Sequence, residues 1–249
     1  MRTFGSLLVR GLIVGLFAGL LAGTFAYVMG EPRVDAAIAI EEAGAAHTHD
    51  HGDSTEPAAE EEPLVSREGQ KAGLFLATSL YGVALGGMFA VGFTLLRRKL
   101  RTENDAYAAL GLAAAGFVGM VLVPFLKYPP NPPAVGDPDT ITRRTVTYLL
   151  TLVIGLLAVW AGVAASRWAE RYGDLARLAG GVIGFLVTIV AAYLILPRIN
   201  EVPETFPATL LWQFRFASLG TQATLWLLLG FGYAATVDRR LARQKVVAA

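Results

Sequence analysis

Leu178–Leu196 reads LAGGVIGFLVTIVAAYLIL and contains no Asp, Glu, Lys or Arg. A helix rises about 1.5 Å per residue, so about 20 apolar residues cross a hydrocarbon core roughly 30 Å thick. Five further stretches have the same character: Leu7–Met29, Ala72–Leu96, Ala106–Leu126, Val146–Ser166 and Phe216–Ala235. Only the first carries a charge, Arg10, near its start, where a long side chain can snorkel to the headgroups. Buried helices of a soluble domain rarely run this long without charge. The sequence therefore predicts an all-α polytopic integral membrane helix bundle over residues 1–249, with six spans and no soluble domain. Five spans remain if the first stretch is a cleaved signal. That stretch is longer than a usual signal core and no A-x-A site ends it, so it is read as retained.

Composition agrees. Of 249 residues, 54% are hydrophobic and 16% charged, and mean hydropathy is +0.51. Ordinary soluble domains carry about 25% charged residues. A net charge of +1 offers no basic face for phosphates, so nucleic acid is excluded as a partner. Cysteine is absent, which removes disulfides, thiolate metal sites and cysteine nucleophiles. All three histidines lie outside the spans, so nothing at membrane depth ligates haem or acts as an imidazole base, and an enzyme is not expected.

Lys and Arg resist translocation, so loop charges give orientation. One side collects Arg2, Arg10, Arg97, Arg98, Lys99, Arg101, Arg167, Arg171, Arg177, Arg239, Arg240, Arg243 and Lys245, 13 of the 21 basic residues. Both termini are therefore expected in the cytoplasm of a bacterial inner-membrane protein. Gly11, Gly15, Gly19 and Gly23 form a small-residue ridge, as do Gly82, Gly86 and Ala90, and Gly111, Ala115 and Gly119. Lipid tails do not drive helices together, so such ridges mark close backbone approach. Tight packing between helices is the favoured reading of them, and an interface with a partner helix is the further one.

The first outer loop, 31–71, holds 11 of the 20 acidic residues and every histidine, in His47-Thr48-His49-Asp50-His51. Its Ala, Pro and acidic composition predicts a largely disordered segment. Neutral imidazole ligates Co²⁺, Ni²⁺ and Zn²⁺, and surrounding carboxylates raise the local cation concentration. His47, His49 and His51, with Asp50 and Asp53, are the candidate metal collector. The second outer loop, 127–145, is stiffened by Pro129, Pro130, Pro132, Pro133 and Pro138. Candidate route residues are Glu31, Asp35, Asp137, Asp139, Glu201 and Glu204 at the outer surface and Gln222 within the sixth span. Capping or a plain turn is the favoured reading of Asp137 and Asp139, and an interhelical hydrogen bond that of Gln222.

The chain resembles the CbtA family of predicted bacterial cobalt transporter subunits. The likeness runs from Glu31-Pro32-Arg33-Val34-Asp35 through Tyr81-Gly82-Val83-Ala84-Leu85-Gly86-Gly87. It continues in Val123-Pro124-Phe125-Leu126-Lys127-Tyr128-Pro129, Asn131-Pro132-Pro133, Gly136-Asp137-Pro138 and Leu211-Trp212-Gln213-Phe214-Arg215. The proline loop is the most specific part. The family is generally described with five spans, whereas six stretches qualify here. The resemblance implies cobalt uptake linked to cobalamin synthesis. It also implies a small single-span, histidine-bearing CbtB-type partner and no tightly bound cofactor, with Co²⁺ (or Ni²⁺ or Zn²⁺) as cargo. No nucleotide-binding motif is present, so ATP coupling would need another chain. The competing reading is a scaffold or assembly subunit without a transport path, which the scarcity of charge inside the spans favours.

Overall fold

The computed structural model describes residues 3–48, 65–133 and 135–238; at 44–48 and 138 only the backbone is described. Its helices are α1 (Phe4–Phe25), α2 (Glu31–Thr48), α3 (Arg67–Leu96), α4 (Asp105–Phe117), α5 (Val123–Lys127), α6 (Ile141–Ala169), α7 (Asp174–Ile195) and α8 (Ala208–Val237). No strand occurs among the described residues. The starts follow local chemistry. Thr3 accepts from the Ser6 amide at 3.4 Å, Ser66 from Gly69 at 3.2 Å, and Asn104 from Ala106 at 2.8 Å. Each side-chain oxygen satisfies an amide that the first helical turn leaves without a partner.

Two helices contain a π turn, at Ala26–Gly30 and at Val118–Leu122. A proline stands two residues beyond each, Pro32 and Pro124. Proline has no amide to give the carbonyl one turn earlier and its ring crowds that carbonyl, so the ladder widens ahead of it. Arg33 Nη1 donates to the Met29 carbonyl at 2.8 Å in the first of these widened turns. The first π turn does not break the helix. α1, the turn and α2 run on without interruption, so the chain stays helical past Gly30, where the sequence reading begins a loop. The charged, alanine-rich residues 31–43 continue the helix beyond the apolar part. Residues 67–71, read as loop, form the first turns of α3.

Among the described residues five helical segments are long and apolar enough to cross a membrane: Phe4–Ala43, Arg67–Lys99, Asp105–Lys127, Ile141–Tyr172 and Asp174–Ile195. The sixth long helix, α8, is different in kind. It carries Gln213, Arg215, Gln222 and several threonines, and it is the most deeply packed, burying Leu211, Ala217, Leu225, Trp226, Leu229, Tyr233 and Val237. A helix covered by protein need not be as apolar as one that faces lipid. α7 is the reverse case. Ile189 is its one buried side chain, while Leu194 and Ile195 are 82% and 84% exposed. That much bare hydrocarbon is untenable in water and natural against acyl chains.

α1 packs along α3, α8 lies against α1 and α4, the second π turn and α5 lie against α6, and α6 pairs with α7. Within α1–α3 the two glycine ridges face each other. A Cβ on Gly11, Gly15, Gly82 or Gly86 would fall well inside 3.0 Å of a carbonyl oxygen on the opposing helix. The expectation of a partner helix on this ridge is therefore corrected: α3 of the same chain covers it. The third ridge divides. Gly119 meets Gly155 of α6, whereas Gly111 faces open space. The main core gathers around Tyr233, whose ring lies edge-on to Phe89 and Phe93 with centroids 5.2 and 5.3 Å away.

Two ends result. At the basic end Arg10 Nη1 donates to the Thr236 carbonyl at 2.6 Å, which fastens α1 to the last turn of α8. Arg97 Nε meets Asp105 Oδ1 at 2.6 Å, and Arg101 pairs with Glu170. At the opposite end, here the loop end, lie the connections 128–140 and 196–207.

Candidate functional site

Lys127 and Tyr128, at the end of α5, anchor the loop end. Lys127 Nζ donates to the carbonyls of Tyr193 at 2.9 Å and Leu196 at 3.1 Å, satisfying acceptors that the C-terminus of α7 leaves open. Tyr128 Oη donates to the Pro197 carbonyl at 2.7 Å. The prolines that follow cannot fold back into helix, so the chain crosses the bundle in extended form. There Arg215 of α8 holds it, with Nε 3.3 Å from the Pro130 carbonyl and Nη2 3.0 Å from Asn131 Oδ1.

Glu201 ties the two connections together. Its carboxylate accepts from the Thr140 hydroxyl at 2.5 Å and the Asp137 amide at 3.0 Å, and it lies 3.4 Å from Arg144 Nη1. The Thr140 hydroxyl first, then the Asp137 amide and the Arg144 and Arg143 charges, hold its carboxyl below the usual glutamate range against the opposing effect of burial. Above this knot lies a cavity of about 420 Å³ lined by Tyr128, Asn131, Arg144, Tyr148, Glu201 and Arg215. A second cavity, about 280 Å³, is lined by Tyr81, Tyr128, Tyr148, Ser218, Gln222 and Trp226. Tyr128 and Tyr148 line both, so the cavities adjoin, and the second reaches between α3, the second π turn, α5, α6 and α8. In it Gln222 Oε1 and Trp226 Nε1 are buried without a hydrogen-bond partner.

The predicted residues separate into distinct groups. Glu31 and Asp35 stand at the start of α2 and are neutralised from α3. Arg67 pairs with Glu31 and lies 2.8 Å from Asp35, and Lys71 lies 3.0 Å from Asp35. Asp137, Asp139 and Glu201 do come together, but through backbone bonds. Asp137 Oδ1 accepts from the Asp139 amide at 2.9 Å, the turn-forming role. Glu204 is exposed beyond them. Gln222 alone faces the deeper chamber. His47 lies in the last turn of α2, and His49, Asp50, His51 and Asp53 lie outside the described residues. Among the described residues no group of three or more His, Asp or Glu is placed to hold a metal ion. Sequence reasoning missed Tyr81, Tyr128, Tyr148 and Arg144. The pair Arg143-Arg144, at the mouth of an otherwise uncharged span, was the available signal.

These features define a polytopic membrane bundle with a polar chamber that adjoins a cavity at the loop end. Residues 4–238, nearly the whole chain, match the family model described as probable cobalt transporter subunit (CbtA), and the chain belongs to that family. No curated protein and no solved structure matches it.

Proposed function

We propose that this chain takes up Co²⁺ across the bacterial inner membrane to feed cobalamin synthesis, with the loop end outward and both termini cytoplasmic. His47, His49 and His51, with Asp50 and Asp53, act as a weak collector in this reading. The ion then enters the outer cavity and passes to the chamber at Gln222. The observation that carries the reading is the buried Gln222 Oε1, without a partner in a cavity that adjoins the outer one. A dication cannot cross hydrocarbon bare, and amide and phenol oxygens substitute for part of a hydration shell without trapping the ion as carboxylates would. Arg144 and Arg215 at the outer cavity repel a bare dication, so the ion passes hydrated and the partner subunit supplies further ligands. The chain is not assigned a catalytic step.

A scaffold without a path is the second reading. It is favoured by Glu31, Asp35 and Glu201 all being bound to cations of the same chain. Uptake of labelled Co²⁺ into proteoliposomes separates the two, measured with this chain alone and with a CbtB-type subunit. Transport is expected with the pair. Gln222→Leu should reduce it about tenfold, equivalent to about 1.4 kcal/mol in the barrier. Replacing all three histidines by alanine should reduce uptake only at scarce metal, with excess metal restoring it. Undiminished transport by Gln222→Leu removes the chamber from the route. No transport by the pair leaves the scaffold.

A further inference from the structure

A third cavity, about 580 Å³, opens at the basic end between α4, its π turn, α6 and α7. Its walls are apolar: Ala114, Val118, Val163 and Phe185 line it, together with Gly162 and Gly181, where α6 and α7 approach closely. Its mouth carries four cations, Lys99, Arg101, Arg167 and Arg177. Two carboxylates answer them. Glu170 pairs with Arg101, and Asp174 stands 3.7 Å from Arg177. Arg167 Nη2 donates to the Lys99 carbonyl at 2.9 Å, and neither Arg167 nor Lys99 forms an ion pair among the described residues. The mouth therefore keeps a net positive charge of about two above a greasy slot.

Its depth is marked independently. Trp168 and Tyr172, 65% and 64% exposed, flank Arg171, whose guanidinium stacks on both rings at 4.5 and 4.9 Å. Exposed Trp and Tyr with Arg gather at the headgroup level of a bilayer. Cations at that level over an apolar cleft between helices complement one molecule in particular: a lipid with a negative headgroup and a hydrocarbon tail. We propose that this cleft is a binding site for an anionic phospholipid. Its phosphate meets Lys99, Arg167 and Arg177, and the upper part of one acyl chain lies against Ala114, Val118 and Phe185. The site shares no lining residue with the chamber at Gln222 and does not depend on which metal is carried.

Native mass spectrometry of the full chain, titrated with phosphatidylglycerol and with phosphatidylcholine of identical acyl chains, tests this. Phosphatidylglycerol should bind about tenfold more tightly, as two uncompensated cations near a membrane surface imply. Lys99→Gln with Arg177→Gln should bring the two lipids to within about twofold. Ala114→Leu keeps every cation, fills the slot and should lower phosphatidylglycerol binding about fivefold, the effect of overfilling a packed site. It decides the question if the charge variant fails to fold. Equal binding of the two lipids, or unchanged binding in Ala114→Leu, overturns the proposal. Displacement of the lipid by millimolar inorganic phosphate also overturns it, because the tail would then contribute nothing.

Discussion

Gly15 shows how little room one residue can leave. A methyl group there meets the Gly82 carbonyl and carbon and the Gly86 Cα, all backbone, so neither helix can yield without separating. Gly15→Ala is expected to destabilise the bundle by about 1–3 kcal/mol, whereas Gly5→Ala, with nothing within 4 Å, should stay within about 0.5 kcal/mol. Chemical unfolding in mixed micelles checks both, and equal stabilities would mean that the seam is looser than described. The four-residue spacing made this ridge legible in the sequence. What covered it was not legible, because a period identifies a face and not its partner. Gln222 was legible for a similar reason, as a lone amide in an apolar run. Tyr81, Tyr128 and Tyr148 were not, since a tyrosine near a span end also fits an interfacial belt.

Elements were readable wherever lipid dictates composition and ambiguous wherever protein does. The uncharged run of α7 could hardly be anything but a lipid-facing span. α8 reads as a sixth span of the same kind, yet its Gln and Thr content reflects its place among other helices. The helical course of 31–48 was hidden by a charged composition that suits water as well with structure as without it. The two connections at the loop end pose a separate problem, because their contacts join residues 60 or more positions apart. The Glu201 knot gives them a pH dependence. Its carboxyl titrates below its unfolded value, so the stability it contributes is present above the ordinary glutamate range. It is lost as pH falls through the depressed folded value. Protection of the Asp137 and Thr140 amides against hydrogen exchange, taken relative to the intrinsic rate at each pH, should fall over that acid interval. In Glu201→Gln the fall should be absent and protection already lower at neutral pH. An acid response that persists in the variant would place the titrating group elsewhere.

The molecule as a whole carries its charge asymmetrically, and this predicts its topology. A reporter fused after Ala249 should be active only in its cytoplasmic form, and one inserted near Ser54 only in its exported form. An exported C-terminus would overturn the six-span reading and its five-span variant together. Geometry adds a condition on the proposed transport. α2 is 18 residues long, so at 1.5 Å per residue it stands about 27 Å tall. In the proposed reading His47, in its last turn, is thus carried on a boom and not posted at a doorway. An ion caught there cannot slide to the entrance while still bound. It must let go, and the useful property of such a catcher is a short residence time. A grip tightened by further ligands would fill the boom and starve the passage below it.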